Sequence, residues 1–334
     1  MERGKYMDNL FNLLNAAILA GTPLLLGTLG NTLTSKAGSL NLGVEGMMFM
    51  GAASGLAGAY YYEQWAVSAL GASNGFVAAA SALLASFLAG AFGALIYSFL
   101  TITLRANQNV TGLTLAIFGA GFGNFFGEFM GIRAGGYVAV SNEVKNIFGN
   151  IHVPVLSDIP YVGKLFFQYN WVVYFALLLA LVMAWFLKKT RMGLHLRAVG
   201  ENPATADAAG ISVTRYKYMA TVIGGGICGI GGMYMVMVTC SGVWVHNCVN
   251  GYGWLAVALT IFAAWSPLQA ILASIVFGGF SIMRMYISLG IPLQIYDMFP
   301  YIATIGVLIV TSMFKSQERS QPAASGINYF REER

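Results

Sequence analysis

Charge is what this sequence has least of. Only 9% of its 334 residues are Asp, Glu, Lys or Arg, against about a quarter in soluble globular chains. That shortage excludes a water-soluble domain and leaves few side chains for bond chemistry. The acids are scattered, so no pair of carboxylates stands ready for general acid–base work. Histidine occurs only at 152, 195 and 246, and cysteine only at 228, 240 and 248. No CxxC pair or ligand spacing joins them, so no zinc or haem site is expected, and His246 and Cys248 read as incidental neighbours. Also missing are a GxxxxGK[ST] stretch, GxSxG, HExxH and an EF-hand loop. The chain is therefore expected to hold no ATP, metal or other cofactor, to bind no nucleic acid and to catalyse no reaction. A cleaved signal peptide is not expected either: the first apolar run, about 10–33, is too long for one and lacks a small-residue cleavage site.

What is abundant is apolar surface. Hydrophobic residues make up 57% of the chain and the mean hydropathy is +0.67. A helix crosses a bilayer with ~20 mainly apolar residues over a ~30 Å core. Candidate spans fall at about 10–33, 44–62, 76–104, 108–131, 170–187, 217–241, 251–266, 268–289 and 298–314. The fold class is all-α, a polytopic membrane protein of about 8–10 transmembrane helices, with one domain over residues 1–314. Membrane lipid is its surrounding medium. Glycine, at 41 residues, lets helix backbones approach closely. Gly51 and Gly55, then Gly119, Gly123, Gly127 and Gly131, then Gly225 and Gly229 repeat at four-residue spacing and predict helix-packing faces. Pro267 and Pro300 fall near expected span starts, where a missing N–H costs little.

The placement of the few charges orients the chain. The segment 188–217 holds Lys188, Lys189, Arg191, Arg197, Arg215 and Lys217, whereas the connection at about 132–170 holds only Arg133, Lys145 and Lys164. Short cytoplasmic loops collect Lys and Arg, so 188–217 is expected in the cytoplasm and 132–170 outside. Counting spans puts the N-terminus outside and the C-terminus inside. The polar end, 315–334, reads as a flexible cytoplasmic tail.

Within 200–212, "GENPATADAAGIS", Asn202 is a good N-cap, Pro203 suits the first helical position and Gly210 suits the left-handed residue after the last turn. These signals predict a two-turn helix over about 203–209. It is either an ordinary capped loop helix or a rigid docking element for a cytoplasmic partner. Ionisable residues inside or near the spans are Glu45, Glu128, Arg284 and Asp297. Arg284 and Asp297 read as span-end residues and Glu128 as snorkelling to the interface. No chain of acids crosses the membrane, which argues against an ion-coupled carrier acting alone. Asn41 can cap a helix beginning near Leu42, with Glu45 in its first turn, where the helix dipole favours a carboxylate. The other reading makes Asn41 and Glu45 polar contacts on a solute pathway, with Gln108, Asn109 and Thr111 as further candidates.

Four stretches carry a family resemblance: "SKAGSLNLGVEGMMFMGA", "RANQNVTGLTLAIFGAG", "RMGLHLRAVGENPATADAAGISV" and "GYGWLAVALTIFAAWSPLQAILASIVFG". In that order they resemble the membrane subunits of bacterial ABC-type nucleoside importers. These belong to the wider permease family that includes ribose and branched-chain amino acid importers. The likeness runs from about residue 22 to 312 and is to the second, shorter permease type. It implies a complex in the bacterial cytoplasmic membrane containing a second, different permease, a cytoplasmic ABC ATPase that holds ATP and Mg, and an extracytoplasmic substrate-binding lipoprotein. Glu201, Asn202, Pro203, Ala206, Ala209, Gly210 and Ile211 match the family's ATPase-contacting loop. Where members often have Glu-Arg-Ala-Gly, residues 35–38 read Ser-Lys-Ala-Gly, and the sixth span is richer in Tyr, Met and Cys. A permease for ribose, another small sugar or amino acids is the alternative within transport.

Overall fold

The computed structural model describes residues 2–151, 162–286, 290, 292–313 and 321–330. In chain order its helices are α1 (Glu2–Lys36), α2 (Val44–Leu70), α3 (Gly75–Ser98), α4 (Gln108–Arg133), α5 (Asn142–Ile147), α6 (Val162–Phe166) and α7 (Trp171–Lys189). After these come α8 (Arg191–Glu201), α9 (Pro203–Ala208), α10 (Val213–Tyr234), α11 (Tyr252–Phe262), α12 (Pro267–Tyr286) and α13 (Leu293–Met313). Five-residue π-helical turns prolong α3 to Thr103 and α10 to Thr239. Among the described residues the only β pairing is an isolated bridge between Ala139 and Val243. Five stretches among the described residues are long and apolar enough to cross a bilayer: Phe11–Lys36, Gly75–Thr103, Gln108–Arg133, Trp171–Lys189 and Val213–Thr239.

Local chemistry sets the helix starts. Asparagine opens α3, α4, α7 and α9, each side chain accepting a hydrogen bond from a first-turn N–H. These bonds satisfy donors that the helix cannot pair internally. Pro23 lies inside α1 and cannot donate to the carbonyl of Leu19 one turn back. The hydroxyl of Tyr234 donates to that carbonyl instead, at 3.1 Å. A freed backbone group in a bilayer needs such a partner.

α10 is the centre of the bundle, packed on α1, α2 and α3. Glycine makes these contacts possible. A Cβ on Gly51 would collide with the backbone of Gly229, one on Gly225 with Ala94, and one on Gly119 with Gly46. Gly55 meets the side chain of Met233, and Gly123 the backbone of Phe49. Gly131 differs: a Cβ there would sit at an ordinary 3.5 Å from the Gly136 oxygen.

Several expectations are corrected. The span expected over 251–266 is the short helix α11, whose 11 residues reach only ~16 Å at 1.5 Å per residue, about half a bilayer core. α2 begins at Val44 rather than near Leu42, and its N-cap, Gly43, has no side-chain cap. Asn41 does not cap the helix; its oxygen accepts from the Gly43 N–H at 2.8 Å, forming a turn two residues earlier. Pro300 lies inside α13 rather than near its start. The end of the chain is not a free tail over 321–330: Ala324 N donates to the Gly200 carbonyl at 3.0 Å, and Tyr329 packs against Val199, Ala206 and Val213. The side chains of Arg284 and Asp297 lie outside the described residues.

Candidate functional site

α2 does not start at the end of the bundle. Val44 and Met48 lie beside Gly27 of α1, nine residues before α1 ends at Lys36, or ~13 Å along its axis. α11 starts at the same level: Gly253 lies against Glu45 and Ala256 against Gly27. Two helix N-termini therefore converge inside the bundle, and Glu45 joins them. Its side chain is buried, and its oxygens accept from Gly251 N at 2.7 Å and Gly253 N at 2.6 Å. α11 has no side-chain cap from its own N-cap residue, Gly251. The carboxylate of another helix takes that role, with both helix dipoles in its favour.

Above Glu45, residues 240–251 fold back into the bundle as irregular chain. Ser241, Gly242, Asn247, Asn250 and Gly251 all have positive φ, a conformation that costs non-glycine residues energy and recurs at functional sites. Trp244 seats this segment on α4, where a Cβ on Gly127 would strike its ring. Two polar pairs follow one helical turn apart. Asn124 donates to the Asn247 side-chain oxygen at 2.8 Å and accepts from the Asn247 N–H at 2.9 Å. The Glu128 carboxylate meets Nδ1 of His246. Glu128 and His246 are more than half exposed, at 54% and 60%. Beyond Glu45, the Asn pair and the Glu–His pair form a polar stair along α4.

The other expected pathway residues lie elsewhere. Gln108 is buried, accepting from Leu40 N at 2.7 Å and donating to Asn328 at 3.1 Å. Thr111 is buried and bonds the Asn107 carbonyl at 2.8 Å, while Asn109 is exposed in the first turn of α4. Together with Asn41 they build the junction where segment 37–43 meets the start of α4, apart from the stair. Sequence reading missed Asn124, Asn247 and the contact of His246 with Glu128. A signal was available: Asn124 and Glu128 stand four apart, on one face of an otherwise apolar helix.

At the end of the bundle where α1 finishes, α9 forms over Pro203–Ala208. Asn202 accepts from Thr205 N at 3.0 Å. Gly210, at φ +80°, donates to Asp207 O, and Ile211 donates to Ala206 O, both at 3.0 Å, the paired bonds of a Schellman stop. Ala206 is buried, Pro203 and Ile211 half-buried, and Glu201, Asn202, Ala209 and Gly210 exposed. Hollows of about 640 Å³ and 340 Å³ flank the helix, one lined by His195, Ile211 and Tyr216, the other by Asn202, Ala323 and Phe330.

Residues 12–308 match the family described as branched-chain amino acid transport system / permease component. The chain belongs to this permease family. It is a multi-pass membrane protein and a transport subunit. A Haloferax volcanii protein, provisionally named a glucose ABC transporter permease protein, TsgC13, is 34% identical over 89% of this chain and 90% of its own length. The nucleoside ABC transporter permease protein NupC of Lactococcus lactis is 30% identical over 94% and 95%. The guanosine ABC transporter permease protein NupQ of Bacillus subtilis is 32% identical over 96% of each chain. The same Bacillus has a more distant match, the guanosine ABC transporter permease protein NupP, 23% identical over 88% of this chain and 79% of that protein.

For a permease, the exposed surface divides by chemistry. Leu84, Leu88 and Phe92 on α3 and Leu178, Leu181 and Trp185 on α7 present apolar faces suited to lipid. The stair does not: a half-exposed carboxylate–imidazole pair on a membrane-spanning helix is costly wherever it meets hydrocarbon and calls for water or protein beside it.

Proposed function

We propose that this chain is one of two membrane subunits of an ATP-driven importer that takes up nucleosides across a bacterial cytoplasmic membrane. The observation that carries the reading is the polar stair, an interrupted-helix junction with hydrogen-bonding side chains rising to one membrane face, in a chain alignable end to end with NupC and NupQ. Amide and carboxylate groups of this kind can replace water on a solute's hydroxyls and base edges, which would otherwise be left unpaired at a cost of several kcal/mol in all. One wall is insufficient to surround such a solute, so a second permease supplies the other. That one organism has both NupQ and the more distant NupP, each named a guanosine ABC transporter permease protein, supports a partner of different sequence. α9 is the docking helix for a cytoplasmic ATPase that holds ATP and Mg, an extracytoplasmic lipoprotein delivers the solute, and the basic 188–217 segment lies in the cytoplasm. A sugar is the second reading, favoured by the 34% identity to TsgC13. The family assignment leaves no support for an ion-coupled carrier acting alone.

Purification of the native complex, with mass measurement of its subunits and of the small molecule retained by the binding protein, tests this. The expected composition is one copy of this chain, one different permease, an ATPase and a nucleoside. A retained hexose would overturn the nucleoside reading, and an active homodimer would overturn the paired-permease reading.

A further inference from the structure

The end of the chain is fastened to three separate elements. At its start, Ala324 N donates to Gly200 O at 3.0 Å and Ala323 N to the Glu201 carboxylate at 3.3 Å, tying it to the last turn of α8. Further on, the Asn328 amide donates to the carbonyls of Arg105, at 2.7 Å, and Ala106, at 3.2 Å, and accepts from Gln108 Nε2 at 3.1 Å. Those bonds grip the turn between α3 and α4. Gln108 also accepts from Leu40 N, so the segment leading into α2 is held by the same side chain. Next in sequence, the Tyr329 hydroxyl donates to Asp207 of α9 at 2.8 Å, while its ring packs on the small core beneath that helix. Phe330 lies under the Arg105 guanidinium, 4.6 Å from its ring centroid.

α9 otherwise packs on α8 and α10. The strap adds a hydrogen-bonded route from α9 to the starts of α2 and α4, the helices that carry Glu45, Asn124 and Glu128. Asn328 fixes its end of that route with three of the four hydrogen bonds its amide can make. Adjacent residues, Asn328 and Tyr329, thus face opposite neighbours across one peptide unit.

We propose that residues 321–330 are a strap transmitting displacement of α9 to α2 and α4, with Asn328 and Tyr329 as positioning residues for the coupling of ATP hydrolysis to transport. This rests on the reading of α9 as the ATPase docking helix. A displacement of α9 pulls on Tyr329 through Asp207, and Asn328 passes it to the α3–α4 turn. Without the strap an ATPase can still dock and hydrolyse, but its motion reaches the pathway helices less completely.

The test uses the intact complex reconstituted in vesicles, measuring solute moved per ATP hydrolysed. Tyr329→Phe keeps the ring on its core and removes only the hydroxyl; Asn328→Ala removes the other anchor. Tyr329→Phe is expected to lower the transport-to-hydrolysis ratio about three- to tenfold, the shift that loss of one ordinary hydrogen bond produces, and Asn328→Ala, which removes three bonds, at least as much. Asp207→Asn, which keeps an acceptor, should retain most of the ratio. Because the two anchors act in series, the double variant should be no worse than the weaker single. Retention of the ATPase on purification and an unchanged melting temperature exclude a merely structural effect. If Asn328→Ala fails to assemble, Tyr329→Phe decides alone. An unchanged ratio in a complex that carries the ATPase overturns the strap's role and leaves the importer reading intact. A parallel loss of melting temperature, hydrolysis and transport also overturns it. Wild-type protein that retains no ATPase overturns the importer reading and the coupling role together.

Discussion

Replacing Glu45 tests whether two helix starts depend on one carboxylate. Both oxygens are used, at 2.7 and 2.6 Å, on the N–H groups of Gly251 and Gly253, and the side chain is 6% exposed. Glu45→Ala strands two buried donors at about 1–3 kcal/mol each, so about 2–6 kcal/mol in all. Glu45→Gln keeps one acceptor but turns an NH2 group toward the other N–H. It also forfeits the attraction between a negative charge and the starts of α2 and α11. The lost charged bond is worth about 1.5–3 kcal/mol, and each of the two dipoles a further ~0.3–1 kcal/mol, so Gln should cost about 2–5 kcal/mol. For chains of ~150–250 residues each kcal/mol lowers the melting temperature by about 2–4 °C, which on that scale places the Gln variant about 4–20 °C below the parent. The assay is thermal inactivation of the detergent-solubilised complex, run beside uptake kinetics on the surviving fraction. KM should stay within twofold of the parent, because the carboxylate is buried and each of its oxygens is held by a backbone donor. A Gln variant with unaltered melting and a changed KM would refute the clamp and restore Glu45 to the pathway. Ala and Gln variants both as stable as the parent, with normal uptake, would refute both readings.

Three other outcomes follow from the geometry. Gly127→Ala drives a methyl group into the Trp244 ring, an overpacking that costs about 1–3 kcal/mol. It should displace the Asn124–Asn247 pair and reduce uptake, whereas Gly131→Ala, in open contact, should stay within about 0.5 kcal/mol of the parent by melting. Asn124→Leu should raise KM for uptake without lowering the melting temperature by more than a few degrees; equal KM would remove the stair from the pathway. Pro203→Gly combined with Gly210→Val forces a branched residue to φ +80°, at a cost of at least about 1–2 kcal/mol. Membrane insertion should survive while solute-stimulated ATP hydrolysis collapses, and unchanged stimulation would show that α9 is an ordinary loop helix.

Features written in local sequence were legible, and those made by distant segments were not. α9 could be read residue by residue because a cap, a first-turn proline and a left-handed glycine act within their own turn. The glycine rows could be read for the same reason, since four-residue spacing alone puts side chains on one face. Gly131 escaped this logic because its helix face has run past its neighbour by that point. α11 looked like a span because hydropathy counts apolar residues and is blind to where the backbone leaves the helix. Its start is set by Glu45, about two hundred residues earlier. The strap was invisible for a further reason. Its composition is that of a disordered tail, and every one of its anchors reaches a partner more than a hundred residues away in sequence.

Glu45 and the strap bear on one mechanical problem. α2 and α4 rise side by side, with Gly119 on Gly46 and Gly123 on Phe49, so neither can tilt without the other. Their starts are held by the 37–43 segment, Gln108 and Asn328; Glu45 stands in the first turn of α2, and Asn124 and Glu128 lie in the second half of α4. A displacement at the starts must therefore appear further along α4 as movement of the polar stair, or else break the glycine seam. The seam resists, since backbone-on-backbone contact leaves no side chain to repack. The α11 junction resists less, since it is held by two hydrogen bonds and bounded by residues at positive φ. On the proposed reading, that junction is where the pathway opens. Glu45 then sets how far the helices must move before α11 lets go, and weakening it should lower the barrier to opening as well as the stability of the fold.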